Sequence, residues 1–525
     1  RGESGRQRQQ QYAGNLSRYV DDPLRYVRHG GPRFRSGHSC CEFESSAAFA
    51  AVPLLSSCSS AAAPSAEGAG VLGQPQVSFS ASVDVLILGS GMAGLSAAMD
   101  PSEAGLSVMV AEKLDVLGGE SYESNAVMEV CGSQLQKDAG ITETCDDVWP
   151  ERKETLKAAG VTDLEFAKRL FYAAPEWVDR MKSSYGAQFA DPASYSANEA
   201  NRRRVLPKNG IGDTESIMMP LRDKLAAKGV QFSTGYRATG FILDESGKVC
   251  GVRFSTSKKD QSGVVDVRAR AVVVATGGFA SNQSLVREYL SAWERIGCYT
   301  AASMGEGHKL CQALGAQLSD MSVTPSVISD LPQAAAWGMF APTLVVDAQG
   351  NRFANEDYMR DLCAACFTQE RGYFWTIFDS GISESGQARS AAQVTAKHTS
   401  RLVGPCDTVE QLASGMGVSE DVLGKTVDRF SSMVEAGKDS DFGRKQFLEN
   451  LKPPYYALKQ FPVRFRTRGG AVVDGGGRLL DANGKAIAGV YCCGAAAQGG
   501  GVSLTTNGAF GILTGKAVTE DLGAA

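Results

Sequence analysis

Histidine is scarce in this chain, at 4 residues in 525. That argues against a metal centre built from several imidazoles. The 13 cysteines form no paired CxxC arrangement of the zinc type and no CxxCH haem-attachment motif. In a chain of this length they make no disulfide scaffold either. There is no long basic run, and the net charge is −5, so nucleic acid is excluded as an expected partner. No apolar run reaches the roughly 20 residues that cross a bilayer as a helix. Charged residues at 21% and hydrophobic residues at 43% are ordinary globular values, which excludes wholesale disorder. Glycine is plentiful, at 59 residues.

The length calls for two or more domains, or one large domain with an insertion. Residues 1–45 are polar and arginine-rich, without apolar periodicity. A short apolar stretch follows, Ala47 to Leu55, and then Ser56-Ser57-Cys58. Its length fits the apolar core of a signal peptide better than a membrane span. Leu55-Ser56-Ser57-Cys58 resembles a bacterial lipobox, in which the cysteine carries the lipid. On that reading the protein is exported to a bacterial cell envelope and anchored at Cys58. Otherwise Cys58 is incidental and the protein is cytoplasmic. Ser59 to Gln76 is rich in Ser, Ala, Gly and Pro and reads as a linker. Residues 1–81 are thus expected to be a disordered leader, lipoprotein-type signal and linker.

The chemistry begins at Val83 to Leu88, an apolar run ending in Gly89-Ser90-Gly91-Met92-Ala93-Gly94. This predicts a buried strand, a glycine turn and a helix start. Asp100-Pro101 interrupts that helix, with Pro101 expected in the first turn of a restart. Leu106 to Ala111 predicts a second strand, and Glu112 follows it, 18 residues after Gly94. An acidic residue at about that distance meets the ribose in dinucleotide-binding folds. Residues 141–205 read as helical, with an amphipathic stretch from Leu164 to Met181 and a solvated face at Arg202 to Arg204. A helix over Ile217 to Leu225 follows an Asp213/Thr214 cap. Val230 to Phe254 reads as strands turning at Glu245 to Lys248. Ala271 to Phe279 is an apolar strand ending in glycines. Residues 321–465 change texture, and strands at Ala471 to Asp474 and Gly489 to Cys492, with a helix near Gly508 to Leu522, return to the first. The expected fold class is α/β: a Rossmann-like domain with a GxGxxG βαβ unit, in two parts over 82–320 and 466–525. An inserted α+β capping domain over 321–465 splits it.

Three pieces together resemble the flavoprotein subunits of fumarate reductases and succinate dehydrogenases and the related soluble flavocytochrome-type reductases. They are the Gly89/Gly91/Gly94 turn with Glu112, the strand Val272 to Gly278, and Gly489-Val-Tyr-Cys-Cys-Gly494 with its following helix. The likeness covers about residues 82–525. Its most telling part is Gly350-Asn-Arg-Phe-Ala-Asn-Glu-Asp-Tyr-Met-Arg-Asp361. In that family such a segment ends in the arginine that protonates substrate, here Arg360. The resemblance implies hydride transfer from reduced FAD to an electron-poor C=C, with Arg360 delivering the proton. An arginine is an unusual general acid, since its pKa of about 12.5–13.8 lies far from working pH. Glu356, Asp357 and Asp361 are the relay candidates, with Asn355 capping the local helix.

The resemblance also implies where FAD lies. Gly89, Gly91 and Gly94 approach the pyrophosphate, and Glu112 takes the ribose. Gly118, Gly119 and Ser121 continue along the cofactor, and Thr276, Gly277 and Gly278 line it. Gly494, Asn507, Gly508 and Ala509 bring backbone groups to the flavin. Membrane-complex relatives attach flavin covalently through a histidine near position 120. Glu120 stands there instead, so non-covalent FAD is expected. Ala495 replaces a usual glutamate. The family's His-x-x-Gly-Gly becomes Arg466-Thr-Arg-Gly-Gly470, and the late substrate-clamping arginine has no counterpart in 501–507.

These departures predict a small unsaturated substrate other than fumarate, with Arg466 at the substrate end. Arg464, Arg466 and Arg468 alternate and so share one strand face. Tyr358, Tyr373, Tyr455 and Tyr456 could supply hydroxyls. Electrons are expected from a separate donor: a cytochrome, a quinol-linked protein or a reduced carrier. A ketosteroid-type dehydrogenase, using tyrosines, is the second reading, and a lipid-anchored flavin electron carrier the third. No metal is expected. Cys363 and Cys366, after Arg360, read as two ordinary thiols.

Overall fold

The computed structural model describes residues 70–73, 77–158, 160–194, 203–210, 212–256, 263–323, 326–335, 337–339, 341–357, 372–383, 388–499 and 503–524. The expectations for Cys58, Tyr358, Arg360, Asp361, Cys363 and Cys366 fall outside these residues.

A large sheet organises the chain. Its strands are β1 (Gly70–Gly73), β2 (Phe79–Leu88), β3 (Val108–Glu112), β4 (Gln231–Thr234), β5 (Tyr236–Leu243), β6 (Val249–Thr256) and β7 (Gly263–Val274). Their spatial order is β1-β5-β6-β7-β2-β3-β4. The strands β7, β2, β3 and β4 run parallel. Val85 to Leu88 are buried on both faces, as apolar runs in a parallel sheet must be. β7 changes partner along its length: its first half pairs antiparallel with β6, and Val272 to Val274 pair with a late strand over Val490 to Cys492. The chain's last segment thereby joins the same sheet.

Between β2 and β3, helix α1 (Met92–Ala97) stops and α2 (Met99–Glu103) restarts after Ala98. Pro101 is the third residue of α2, where a missing N–H costs nothing, as its position predicted. Asp100 holds the restart in place by accepting two hydrogen bonds from Arg180, at 3.1 and 3.2 Å. Helix α3 (Gly119–Tyr122) is a single turn after β3, and α4 is the long amphipathic helix Leu164–Ser183. Arg203 departs from the expected solvated face. It donates to both oxygens of Glu143, at 2.8 and 2.9 Å, and to Glu151 at 2.9 Å.

Helix α5 (Glu306–Ala313) precedes a second, separate sheet. This sheet is antiparallel, in the order β8 (Leu344–Asp347), β9 (Phe374–Phe378), β11 (Tyr455–Gln460), β10 (Leu402–Cys406). The period-two alternation serves two cores. Leu344, Val346, Trp375 and Ile377 face α6 (Val409–Met416) and α7 (Glu420–Glu435), where Leu412, Leu423, Phe430 and Met433 complete one cluster. Val345 and Phe374 face the other way, into a cluster with Val327 and Ala354. After β12 (Pro462–Arg466) and β13 (Arg478–Leu480), β14 (Ala486–Cys492) returns to the large sheet. Helix α8 (Leu504–Asp521) then packs on α1 and α4.

Candidate cofactor cleft and active site

The cleft opens at the carboxyl ends of β2, β3 and β7, where ligands of open α/β sheets bind. It encloses about 920 Å³, counted out to its mouth. Gly89 starts the turn with φ +106°, and a side chain there would run into the carbonyl of Ala275. A side chain on Gly94 would overlap the Gly89 carbonyl, so Gly94 lets α1 sit close against the turn. At Gly91 the nearest atoms to an added Cβ are Ser121 Oγ at 3.4 Å and Gly118 O at 3.9 Å. Gly91 therefore keeps space open on the cleft side.

Side chains fix this turn from three directions. Glu112, buried at the end of β3, accepts from Ser90 N–H at 3.1 Å and Ser90 Oγ–H at 2.7 Å, and from Leu114 N–H at 3.0 Å. Ser90 Oγ in turn accepts from Gly118 N–H at 2.9 Å. Met92 N–H donates to Ser121 Oγ at 2.9 Å. Gly118 and Gly119 take left-handed conformations, φ +116° and +48°, which glycine adopts freely. Four residues past α3, Ala126 holds φ +57° while fully buried. A non-glycine residue there is costly, and such strain clusters at functional sites.

Of the expected cofactor residues, Gly89, Gly91, Glu112, Gly119, Ser121, Thr276, Gly277, Gly494 and Asn507 line the cleft. Gly94 and Gly118 support it from behind. Thr276 Oγ1 is buried without a hydrogen-bond partner among the described residues. Three expectations need correction. Gly278 makes room for Thr467, whose hydroxyl accepts from Phe279 N–H at 3.1 Å. Gly508 makes room for the Trp177 indole of α4, and Ala509 is fully buried in the main core. None of the three lines the cleft.

The cleft lining also holds charged residues, some of which the sequence did not single out. Glu120 lines the cleft and receives a hydrogen bond from Ser303. Burial pushes its carboxyl upward, opposed by Ser303 and by the charges of Arg466 and Lys113. Glu123, one turn on, is raised to about 7 by burial and by the Glu120 charge. Its Oε2 has no hydrogen-bond partner among the described residues. Arg466 lines the cleft, with its guanidinium 4.3 Å from the Phe465 ring centroid. Lys113 donates to Ala302 O at 2.6 Å and to Glu306 at 2.7 Å, and Glu306 also accepts from Arg237 at 2.7 Å. That triad stands beside Glu112.

The expected arginine face divides. Arg464 is a staple: it donates to the carbonyls of Ala280, Trp293 and Glu294 and to Gln283. Only Arg466 of β12 enters the cleft. Three of the four candidate tyrosines fall within the described residues. Tyr373 and Tyr455 pack on the second core, and Tyr456 stacks on Phe378 with centroids 5.4 Å apart.

Glu356 does not line the cleft. It is locked by Arg352 at 2.7 and 3.0 Å, accepts from Val345 N–H at 3.2 Å, and lies 3.5 Å from Arg444. A second carboxylate, Asp439, also takes Arg352 at 2.7 Å. Asn355 Oδ1 accepts from Asp357 N–H at 2.8 Å, the turn geometry that an N-cap uses. This buried ion network ties Glu356 to Arg352, Asp439 and Arg444.

A parallel sheet, a strained glycine turn and an acid at the second strand's end, joined by a late strand and helix, define a dinucleotide-binding flavoprotein. The cradle fits FAD, with the glycine backbone for the pyrophosphate and Glu112 for the ribose. The chain belongs to the family described as FAD binding domain, which matches residues 84–509. It is 27% identical over 454 residues to the Fumarate reductase (cytochrome) of Shewanella frigidimarina, covering 83% of this chain and 76% of that one. It is 24% identical over 534 residues to the 3-oxosteroid 1-dehydrogenase of Mycobacterium tuberculosis, covering 78% and 92%. Its fold matches the open conformation of a flavocytochrome c3 fumarate reductase with a TM-score of 0.67 and 25% identity, over 84% of this chain and 79% of that one. The protein is an FAD-dependent oxidoreductase acting on CH–CH groups. No helix among the described residues is long and apolar enough to cross a membrane.

Proposed function

We propose that this enzyme reduces an activated C=C bond in a small substrate other than fumarate, with Arg360 as the proton donor. The reading is supported by a cleft lined by Arg466 and Glu120, together with the sequence segment Gly350 to Asp361, in which Glu356 sits in a buried ion network four residues before Arg360. Bound FAD, in its reduced form, supplies the hydride. The chain's own residues do the rest. Glu356 is held by Arg352 beside Asp439 in a buried network, so it takes a positioning role rather than that of a proton relay. Arg466 offers one cation to a carboxylate or carbonyl of the substrate. Glu120 offsets part of that charge, which disfavours a small dianion needing two cationic clamps. A larger monoanion or an enone, such as an aryl acrylate, suits the remaining contacts.

FAD is held without a covalent link on this reading, since the described cleft lining contains no histidine. Electrons arrive from a separate donor: a cytochrome, a quinol-linked protein or a reduced carrier. Export with a lipid on Cys58 belongs to the same proposal. The tyrosine-based dehydrogenase reading gains no support from Tyr373, Tyr455 and Tyr456, whose rings pack in the second core or on Phe378; Tyr358 lies outside the described residues.

The test is anaerobic. Enzyme with chemically reduced flavin is mixed with unsaturated acids, enones and steroids while reoxidation is followed. Arg360→Ala should keep its FAD and lose alkene reduction by about 10²–10⁴-fold, the usual worth of a general acid. A variant that retains more than about a tenth of the rate removes Arg360 from the role.

A further inference from the structure

Outside the cleft, two cysteines distant in sequence meet. Cys131 Sγ and Cys145 Sγ lie 3.2 Å apart, and Cys145 Sγ is 3.3 Å from Cys131 O. Both are free thiols. A disulfide needs the sulfurs to close to about 2.05 Å, a movement of roughly 1 Å that side-chain torsions can supply. The backbone around the pair is fixed. Val130 N–H donates to Arg203 O at 2.8 Å, and Cys145 opens the fourteen-residue helix Cys145–Ala158.

We propose that Cys131 and Cys145 are a redox pair, closed to a disulfide by exchange with a low-molecular-weight disulfide such as oxidised glutathione. The order of events follows from exposure and charge. Cys131 is 1% exposed, whereas Cys145 is only half-buried. Cys145 is therefore the sulfur that meets the oxidant. The Cys131 S–H donates to it, which lowers the Cys145 thiol below its ordinary pKa. The amides of the helix's first turn favour a thiolate there too. Asp146 on the same helix opposes it, and Arg203, held by Glu143 and Glu151, brings a positive charge near Cys131 from the turn before the strand Arg204–Pro207.

The Cys145 thiolate attacks one sulfur of the small disulfide, whose S–S bond breaks and releases one thiolate. Cys131 then gives up its proton and attacks the Cys145 sulfur, releasing the second. Two protein thiols lose two electrons, and one small disulfide becomes two small thiols. The new bond ties Cys131, five residues past Ala126, to the helix Cys145–Ala158.

The experiment uses the full FAD-loaded chain, reduced and then equilibrated with glutathione buffers of increasing oxidised fraction. Remaining thiols are alkylated after denaturation, and a non-reducing digest is mapped by mass spectrometry. The expected result is the loss of two of the 13 thiols, together with a Cys131–Cys145 linked peptide appearing before any other. Cys131→Ser should trap glutathione on Cys145, and Cys145→Ser should leave Cys131 unmodified. Both cysteines staying fully alkylatable, or another pair linking first, overturns the proposal. Should a variant fail to fold, the wild-type map decides alone.

Discussion

Glu123→Gln should change how stability depends on pH, in a direction that the structure fixes. Burial and the Glu120 charge raise Glu123 from the ordinary 4.5 to about 7. Between those values the folded protein keeps a proton that the unfolded chain has lost. Its contribution therefore falls as pH rises, by about 3.4 kcal/mol over the full step of about 2.5 units. His308 acts oppositely. It is 1% exposed, with Nε2 at 3.0 Å from Gly469 O, and burial lowers it from 6.5 to about 4. Below 6.5 the unfolded chain binds a proton that the folded protein refuses, so this contribution is lost as pH falls through the same range, by a similar amount. In the shared window, from pH 4.5 to 6.5, these two slopes oppose each other. Glu123→Gln removes one of them. Relative to the wild type, the variant should gain about 2–3 kcal/mol across the window. Urea unfolding of FAD-saturated protein at half-unit pH steps measures this. Parallel wild-type and variant curves would refute both the burial and the charge argument. Glu120→Gln should move Glu123 back toward 4.5 and mimic part of the effect.

Gly94→Ala should yield chain with about 5- to 150-fold weaker FAD binding, because its Cβ overlaps the Gly89 carbonyl and overpacking of this kind costs about 1–3 kcal/mol. Absorbance of the purified variant shows it. Wild-type FAD should leave on acid precipitation; flavin that stays with the denatured chain would contradict the non-covalent reading. Fumarate should reoxidise reduced enzyme at least about tenfold more slowly than an aryl acrylate, since each lost charge-assisted contact costs about 1.5–3 kcal/mol. Equal rates would show that the second clamp has been rebuilt elsewhere.

The parallel strands were legible because their signal is local: Val85 to Leu88 and Val272 to Val274 are apolar runs with both faces buried. The Asp100-Pro101 break was legible for the same reason. The glycines were harder. Gly91 and Gly508 look alike in sequence, yet one keeps the cleft open and the other admits an indole from α4. Nothing near Gly508 announces Trp177. Arg464 and Arg466 share a strand, but Arg464 finds three carbonyls brought by a distant loop. Glu120 was noticed only for not being histidine; its bond to Ser303 is a tertiary fact. Cys131 and Cys145 have no motif spacing at all, and only the fold brings their sulfurs together.

Helix α8 covers α1 and supplies Asn507 to the cleft, yet it lies about 400 residues after the glycine turn in the sequence. At about 5–20 residues per second, a ribosome needs on the order of half a minute to travel from the glycine turn to that helix. Through that interval the apolar side of α1 has no cover and the cleft lacks a wall. A chain that has not yet made α8 therefore presents the apolar side of α1 uncovered and a cleft without Asn507.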